Sequence, residues 1–473
     1  MMKFYNSLTK KIEEFKPLNN DKVNIYVCGL TPYDHVHVGH ARTYVAFDML
    51  KRFLILKGYK IFHIQNITDV DDKIIARAKE TNQKPEELTK KFHSEAIELF
   101  KKLRILDADV YPKVTQHIPE IIEMIKILIS RGFAYETETG VYFEVNKFQN
   151  YGMLSGQKMG EIRTGTRKEL DETKKNPEDF ALWKKTKDEI IEFNSPWGKG
   201  RPGWHIECSA MSGKYAKTLD IHGGAKDLIF PHHENEIAQS ETANGVQFVK
   251  YWLHTGFLTV SGEKMSKSLG NFVTLKDVLS MHSPNAVRMF FALANYRSPM
   301  DYNPVQIKQA ETTVARIFNF MDNINNAITK RKKRNARNVK LMNEMKAKFK
   351  NFYHFLEYDF DMPTAMTYLF SIMKSANSAL IDNKTYDYEA FEFIKKEMEN
   401  ALYILGLELK NESKNSDDKA KQLIEQLVRL IIELRNNARK KKDFKTSDEI
   451  RKRLKQFGIS LEDDDSETRW KKI

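Results

Sequence analysis

The chain has 473 residues, of which 41% are hydrophobic and 30% charged, with a formal net charge of +13. That length buries a substantial core and divides into two or more domains, and the hydrophobic share excludes wholesale disorder. The surplus of cations favours an anionic partner, nucleic acid or a phosphorylated substrate, although a lysine-rich solvated surface gives the same count. Two cysteines, Cys28 and Cys208, exclude a disulfide framework and fit a reducing compartment. The N-terminal stretch lacks an apolar signal region, and no run approaches the ~20 apolar residues that span a bilayer. The expectation is a soluble, cytoplasmic protein with no membrane partner.

The first strand signal is the apolar alternation Val23, Ile25, Val27, ending at Cys28 and Gly29. A turn-rich loop follows, and Gly39–His40 opens a helix, an arrangement that aims backbone N–H groups at an anion. Met49, Phe53 and Leu56 recur at i, i+4, i+7 before Gly58, predicting an amphipathic helix from His40 to Lys57. Tyr59 to Ile64 reads as the next strand, which makes a βαβ unit with a parallel pair. The acidic segment Asn66 to Asp72 leads into another helix, either as cap decoration or as a face of a site. Helical patterns run through Pro85–Leu103 and Ile118–Arg131, and Ala134 to Val145 reads as a hairpin turning at Thr139–Gly140.

Tyr151 to Gly203 is rich in Gly, Lys, Glu and Pro and reads as an insertion between two halves of a sheet. The α/β pattern resumes at Leu219–Ile221, with a helix from near Pro231 and a strand from Tyr251 to Gly256. A lysine-rich loop, Glu263 to Asn271, comes next. From about Pro304 onwards amphipathic helices dominate, with basic runs at Lys330–Arg334, Arg439–Lys442 and Arg451–Arg453. Each run singly is an ordinary solvated face; together on a helical region they favour a nucleic-acid surface. The polar stretch Asn411 to Ala420 reads as a linker.

Three constellations carry chemistry. His37-Val38-Gly39-His40 stands at the first crossover, where Gly39 allows close backbone approach and the imidazoles can donate to phosphate oxygens. Alone, this pattern is weak evidence. Lys264-Met265-Ser266-Lys267-Ser268 sets two lysines three apart on a loop bracketed by Gly262 and Gly270, suited to a mobile polyphosphate clamp. Cys28, Cys208, His232 and Glu236 form a Zn²⁺-capable set, because His232 and Glu236 share one helical face at i, i+4. His233 pairs instead with Ile237, which has no ligand atom. The alternative is two buried structural cysteines and a capping histidine.

The pairing of His-x-Gly-His with Lys-Met-Ser-Lys-Ser resembles the class I aminoacyl-tRNA synthetases. Longer matches narrow this to the cysteinyl-tRNA synthetase family and cover essentially the whole chain. They include NITDVDDKII from Asn66, NPEDFALWK from Asn176, SPWGKGRPGWHIECSAM, DIHGGAKDLIFPHHENEIAQS, EKMSKSLGNF and the C-terminal LRNNARKKKDFKTSDEIRKRL. Leu30, Pro32, the RTGTRK stretch near Arg163 and Glu467 depart from the family's commoner wording.

The resemblance implies an α/β fold: a Rossmann-type parallel-sheet catalytic domain over 1–303, with an insertion at about 112–203 and the clamp loop at 263–271. A helical anticodon-binding bundle at 304–410 would follow, then a linker and a small basic helical region at 411–473. It implies ATP-dependent activation of L-cysteine to cysteinyl-adenylate, with Mg²⁺, and transfer to the 3′ end of tRNA(Cys) by a monomeric ligase. His37, His40, Lys264 and Lys267 would be catalytic. Thr31, Gly39, His40, Trp204, Asp227 and Lys267 would bind substrate or nucleotide. One zinc ion on Cys28, Cys208, His232 and Glu236 would select the thiolate, with the substrate sulfur as a fifth ligand and no editing domain. Two rivals remain: a cysteine ligase that passes the same adenylate to an aminosugar, and a non-catalytic RNA-binding paralogue. The basic helical C-terminus argues against the first, the intact motifs against the second.

Overall fold

The computed structural model describes residues 1–157, 172–265, 270–329, 339–381, 387–409, 413–463 and 468–472. Ser266, Lys267 and Ser268 of the clamp loop, the stretch around Arg163, the basic run Lys330–Arg334 and Glu467 lie outside these residues. The described residues form two compact units, Met1–Leu407 and Glu408–Ile473.

The first unit begins with a hairpin, β1 (Lys3–Asn6) and β2 (Lys11–Glu14), and then enters the central sheet at β3 (Lys22–Val27). Helix α1 (Val38–Leu56) crosses over to β4 (Lys60–Ile64), the parallel partner of β3, with Ile25 opposite His63. The expected βαβ unit is therefore present. The expected amphipathic character of α1 is not: its residues from Ala41 to Leu54 are all buried. Sheet covers one face and helices cover the others, so Arg42, Asp48, Lys51 and Arg52 are sealed in and must be paired.

Helices α2 (Asp72–Thr81), α3 (Pro85–Lys102) and α4 (Ile118–Ser130) lead to an antiparallel sheet. Its order is β5 (Ala134–Glu136), β6 (Gly140–Phe143), β7 (Phe180–Lys185), β8 (Gly200–Pro202). The predicted hairpin is β5–β6, and the sheet has its own core around Val141, Phe143, Trp183 and Met211. Helix α5 (Trp204–Tyr215) returns the chain to the central sheet through β9 (Leu219–Ala225), helix α6 (Glu234–Asn244) and β10 (Val249–Thr255). The sheet order is β10-β9-β3-β4, all parallel, and its strands are buried on both faces. The strands β11 (Leu258–Val260), β12 (Glu263–Lys264) and β13 (Met300–Tyr302) form a small sheet at the base of the clamp loop.

Four helices follow β13: Pro304–Thr329, Val339–Glu357, Met362–Ile381 and Tyr388–Leu405. Their apolar faces join β3, α1 and β10 in one continuous core, reaching from Val23 to Leu407. The expected boundary at 303/304 is thus not a break in packing. A buried ion network pins the junction. Asp48 holds Arg52 (Nε–Oδ2 2.8 Å) and Arg288, while Arg288 also donates to the carbonyls of Leu405 (2.6 Å) and Leu103 (2.9 Å). Gly406 caps the last helix at φ +63°, and a Cβ there would stand 2.3 Å from the Arg288 guanidinium.

The second unit contains helices Ser413–Lys440 and Phe444–Gln456 and a hairpin, β14 (Ile459–Asp463) with β15 (Thr468–Lys472). Two expectations are corrected here. The polar linker at 411–420 is helical from Ser413 onward, because the apolar spacing of Val428 and Ile432 propagates a helix back through it. The region is not entirely helical, since the hairpin packs Leu461 against Val428 and Leu454.

Candidate active site

Cys28 stands one residue past β3, and its amide donates to the Gly223 carbonyl of β9 (3.1 Å). The loop after it is pinned by Asn66, whose side-chain oxygen accepts from the Gly29 amide (2.7 Å). Helix α5 brings Cys208, the turn ahead of α6 brings His232, and the first turn of α6 brings Glu236. The ligand atoms of Cys28, Cys208, His232 and Glu236 all lie within 4.8 Å of one another, every residue buried. Two sulfurs, an imidazole and a carboxylate at that spacing fit a zinc ion. His232 Nε2 lies 2.9 Å from Glu236 Oε1, and its Nδ1 meets His205 Nδ1 at 2.9 Å.

A second group of the same kind shares two members: Cys28, His222, His233 and Glu236. His222 Nε2 donates to Glu236 Oε2 (2.9 Å), and His233 Nε2 lies 3.2 Å from the Cys28 sulfur. His233 was expected to face away from the cluster. It faces Cys28 because residues Ile229–His233 form a wide turn ahead of α6, with Phe230 extended at φ −134°, ψ 132°. The backbone is helical again at His233 (φ −70°, ψ −32°), and His232 keeps i, i+4 spacing to Glu236. His254 continues the array, 2.8 Å from His233 Nδ1 and 2.8 Å from the Ser7 hydroxyl. The sequence reading missed His205, His222, His233 and His254. The one signal was their density between His205 and His254, since strands buried on both faces give no alternation to reveal an inward polar side chain.

The cluster distributes charge unevenly. The hydrogen-bonding Cys28 thiol beside it pulls Cys208 down to about 6, helped by His232 against the cost of burial. Burial, reinforced by Cys208 and Glu236, pushes Cys28 well up. Burial also opposes the imidazolium of His232, yet Glu236 and Cys208 together raise it to about 10. Glu236 is held at about 2, since His222 and His232 outweigh its desolvation. The pocket therefore already favours one thiolate and one carboxylate, the anionic donors a dication needs.

Trp204 lies over His232 with ring centroids 4.3 Å apart, and at 39% exposure it forms an open rim of the cluster. Thr31 is half-buried in the loop after Cys28, and its carbonyl accepts from the Tyr33 amide (3.0 Å). Asp227 is exposed on the turn Lys226–Leu228, where its carboxylate has no hydrogen bond or ion pair among the described residues. The acidic segment resolves into caps and ties. Asp71 caps α2, Asp69 holds Thr115, and Asp72 pairs with Lys184 and Arg201.

The other half of the site is the start of α1. His37 is the cap residue, accepting from the His40 amide (3.3 Å), while His40 Nδ1 accepts from the His37 amide (3.3 Å). The two rings stack at 3.6 Å and 19°. A Cβ on Gly39 would come within 3.0 Å of His37 Nδ1, so glycine lets the ring fold over the helix start. Burial holds His37 at about 4 and lowers His40 further, with the charges of His37 and Lys73 adding to it. Both imidazoles are neutral donors at pH 7. The segment after the clamp loop docks here: Val38 N bonds Val273 O (3.1 Å), Leu275 N bonds Val36 O (2.8 Å), and Phe272 edges onto His37. Lys264 ends β12, opposite Thr259.

The sequence profile of the family described as "tRNA synthetases class I (C) catalytic domain" matches residues 14–312. A protein of Thermococcus onnurineus named cysteine–tRNA ligase is 46% identical over 480 residues, spanning 100% of this chain and 99% of that one. The chain belongs to the class I cysteine–tRNA ligase family. Other members of that family are as similar: those of Methanococcus maripaludis strain C6 and Pyrococcus horikoshii are each 46% identical, spanning 100% of this chain and 100% and 99% of their own. These cysteine–tRNA ligases give no support to the aminosugar-acceptor alternative. Among solved structures, Mycobacterium tuberculosis methionyl-tRNA synthetase with methionyl-adenylate superposes at TM-score 0.62 and 15% identity, covering 81% of this chain and 89% of that one. The likeness shows the class I fold. No helix among the described residues is long and apolar enough to cross a membrane.

Proposed function

We propose that this chain is a cysteine–tRNA ligase that joins L-cysteine to ATP and then to the 3′ end of tRNA(Cys). In the first step the cysteine carboxylate attacks the α-phosphorus and diphosphate leaves. In the second a 3′-terminal ribose hydroxyl attacks the acyl carbon and AMP leaves. The observation that carries this reading is the position of Cys28 and His37 on one crossover, which joins a buried Cys/His/Glu cluster to a helix start capped by histidines.

His37 and His40, neutral and held by the helix start, donate to the α-phosphate oxygens as charge develops there. Lys264 and Lys267 draw in the β- and γ-phosphates, which carry Mg²⁺. A donor of this kind is worth about 2.7–4 kcal/mol in the transition state. Cys28, Cys208, His232 and Glu236 hold zinc, which binds a thiolate and lowers thiol pKa, an interaction serine does not replace. Shape alone discriminates such small differences only about 10–200-fold. Trp204, Thr31 and Asp227 border the substrate pocket. The helices beyond Pro304 and the basic helices of the second unit contact tRNA, and the ligase acts as a cytoplasmic monomer. Incubation with total tRNA, ATP, Mg²⁺ and labelled cysteine or serine tests the reading. Charging with cysteine and not serine is expected; zinc-loaded protein that charges no tRNA with cysteine refutes it.

A further inference from the structure

Arg42 lies in α1 two residues past His40, buried, and meets no carboxylate among the described residues. Backbone carbonyls alone receive its guanidinium. One terminal nitrogen donates to Gly256 O (3.0 Å) and Phe257 O (2.6 Å); the other donates to Ser298 O, with Asn295 O at 3.5 Å. Burial lowers the group only to about 10, so it is a cation at pH 7.

The four carbonyls belong to the two segments that lead into the small sheet at the base of the clamp loop. Gly256 and Phe257 enter β11, which turns back as β12; Asn295 and Ser298 precede β13, the parallel partner of β11. The segments are pressed close, since a Cβ on Gly256 would stand 2.1 Å from Ser298 O. Gly256 N donates to Tyr296 O (2.8 Å) and Met300 N to Phe257 O (2.9 Å). Converging carbonyl dipoles repel one another, and a planar cation with a rigid fork of donors can hold several at once. Thr43, the next residue of α1, adds a hydroxyl bond to Thr255 at the end of β10 (2.8 Å).

The exit of the clamp loop is referenced to the same helix start. Val38 N to Val273 O, Leu275 N to Val36 O and the pairing of His37 with Thr274 fix it by backbone contacts. Both ends of the loop are therefore held within two turns of His37 and His40, the exit by backbone pairing and the entry through one guanidinium. None of the atoms that Arg42 meets belongs to Cys28, Cys208, His232 or Glu236.

We propose that Arg42 is a positioning residue for adenylate formation. It sets the distance from the His37–His40 helix start to the base of the clamp loop, and so aligns the groups that meet the α-phosphate with those that meet the β- and γ-phosphates. The inference rests on the ligase reading and adds to it the side chain that registers the two halves of the ATP site.

A double-mutant cycle in the full chain tests this. Arg42→Met keeps apolar bulk and removes the donors; Arg42→Lys keeps the charge and reaches fewer carbonyls. Single-turnover adenylate formation, KM for cysteine and zinc per chain are measured with and without the Lys264→Ala/Lys267→Ala pair. Arg42→Met should slow adenylate formation about 100-fold, the effect of a ~1 Å misplacement, with cysteine KM and zinc content within about twofold of wild type. Arg42→Lys should recover part of that rate. In the lysine-free background Arg42→Met should slow the reaction less than about threefold, because the clamp it positions is gone. A full additive loss in that background overturns the assignment, as does a parallel loss of zinc or cysteine binding, or an unchanged rate. Should the methionine chain not fold, Arg42→Lys is judged by the same cycle: a loss that vanishes without the clamp lysines supports the role, and an additive loss or none overturns it. Wild-type protein that exchanges no pyrophosphate refutes the ligase reading itself, and the role of Arg42 with it.

Discussion

Gly29→Ala is the sharpest single test of how the site is built. An ideal Cβ on Gly29 would stand 1.5 Å from the Asn66 carbonyl oxygen and 2.6 Å from its carbon. These are backbone atoms, so no side-chain rotation relieves the clash, and the two segments must part by ~2 Å to reach ordinary contact. Parting them breaks Gly29 N to Asn66 Oδ1 and Thr68 N to Leu30 O. At ~1 kcal/mol for each bond and another 1–2 for a donor left buried, the local cost is about 3–4 kcal/mol. The neighbouring residue is Cys28, and a misplacement of ~1 Å near reacting groups costs about 100-fold in rate. Zinc per chain after dialysis, cysteine-dependent pyrophosphate exchange and far-ultraviolet circular dichroism make the assay. The alanine variant should keep its helical signal, retain less zinc and exchange at least about 100-fold more slowly. An alanine variant with wild-type zinc content and exchange refutes the reasoning, because it would mean the Cys28 loop needs no contact with Asn66.

Four further outcomes follow from the same geometry. Cys208→Ser should weaken zinc binding by more than about 100-fold and abolish cysteine activation while moving the thermal unfolding midpoint little; complete unfolding would make the metal structural instead. Arg288→Met leaves two buried carbonyls and part of Asp48 uncompensated and should cost about 3–5 kcal/mol in urea unfolding; a loss under 1 kcal/mol would contradict the junction network. Lys267→Ala should slow adenylate formation with near-normal cysteine binding, and unchanged single-turnover kinetics would remove it from the clamp. The buried imidazoles set an acid limit. Burial holds His37 at about 4 and His63 at about 3, below the usual 6.5. Their stability contribution is complete above pH 6.5, where both folded and unfolded chains leave them neutral. It is lost as pH falls towards 4 and 3, where only the unfolded chain takes the protons, at up to about 1.4 kcal/mol per pH unit for each group. Among the described residues neither ring nitrogen of His63 has a hydrogen-bond partner, so His63→Leu should raise stability at pH 7 by about 1 kcal/mol and remove one proton from that acid slope. A destabilised leucine variant at pH 7 would contradict this.

Much of the site was legible because its signals are local. Cys28 is one of two cysteines, His232 and Glu236 keep helical spacing, and both His37 and the clamp lysines lie in short fixed patterns. The α/β crossover was legible for the same reason, since β3, α1 and β4 are consecutive in the chain. What stayed hidden depends on distant partners. The burial of α1 on every side comes from helices more than 200 residues away, so its charged residues resemble a solvent face until Arg288 is seen beside Asp48. His222 and His233 join the cluster through a sheet register and a non-helical turn, neither of which has a periodicity. The stretch after Asn411 has linker composition, and its helix is decided by Val428 and Ile432 further on. The C-terminal hairpin is five residues a side and half charged, too short for alternation to stand out.

The mutual capping of His37 and His40 has a consequence for where their protons sit. Each Nδ1 is occupied as acceptor of the other residue's backbone N–H, and burial keeps both rings uncharged. A neutral imidazole that accepts at Nδ1 must carry its hydrogen on Nε2. The helix start thus selects one tautomer for both rings, with the hydrogen of each on Nε2. No proton has to be gained or moved before these rings can meet an anion, and the preset arrangement persists down to about pH 4 for His37. The same two hydrogen bonds that begin a helix therefore also fix the hydrogen-bonding polarity of the surface proposed to meet the nucleotide.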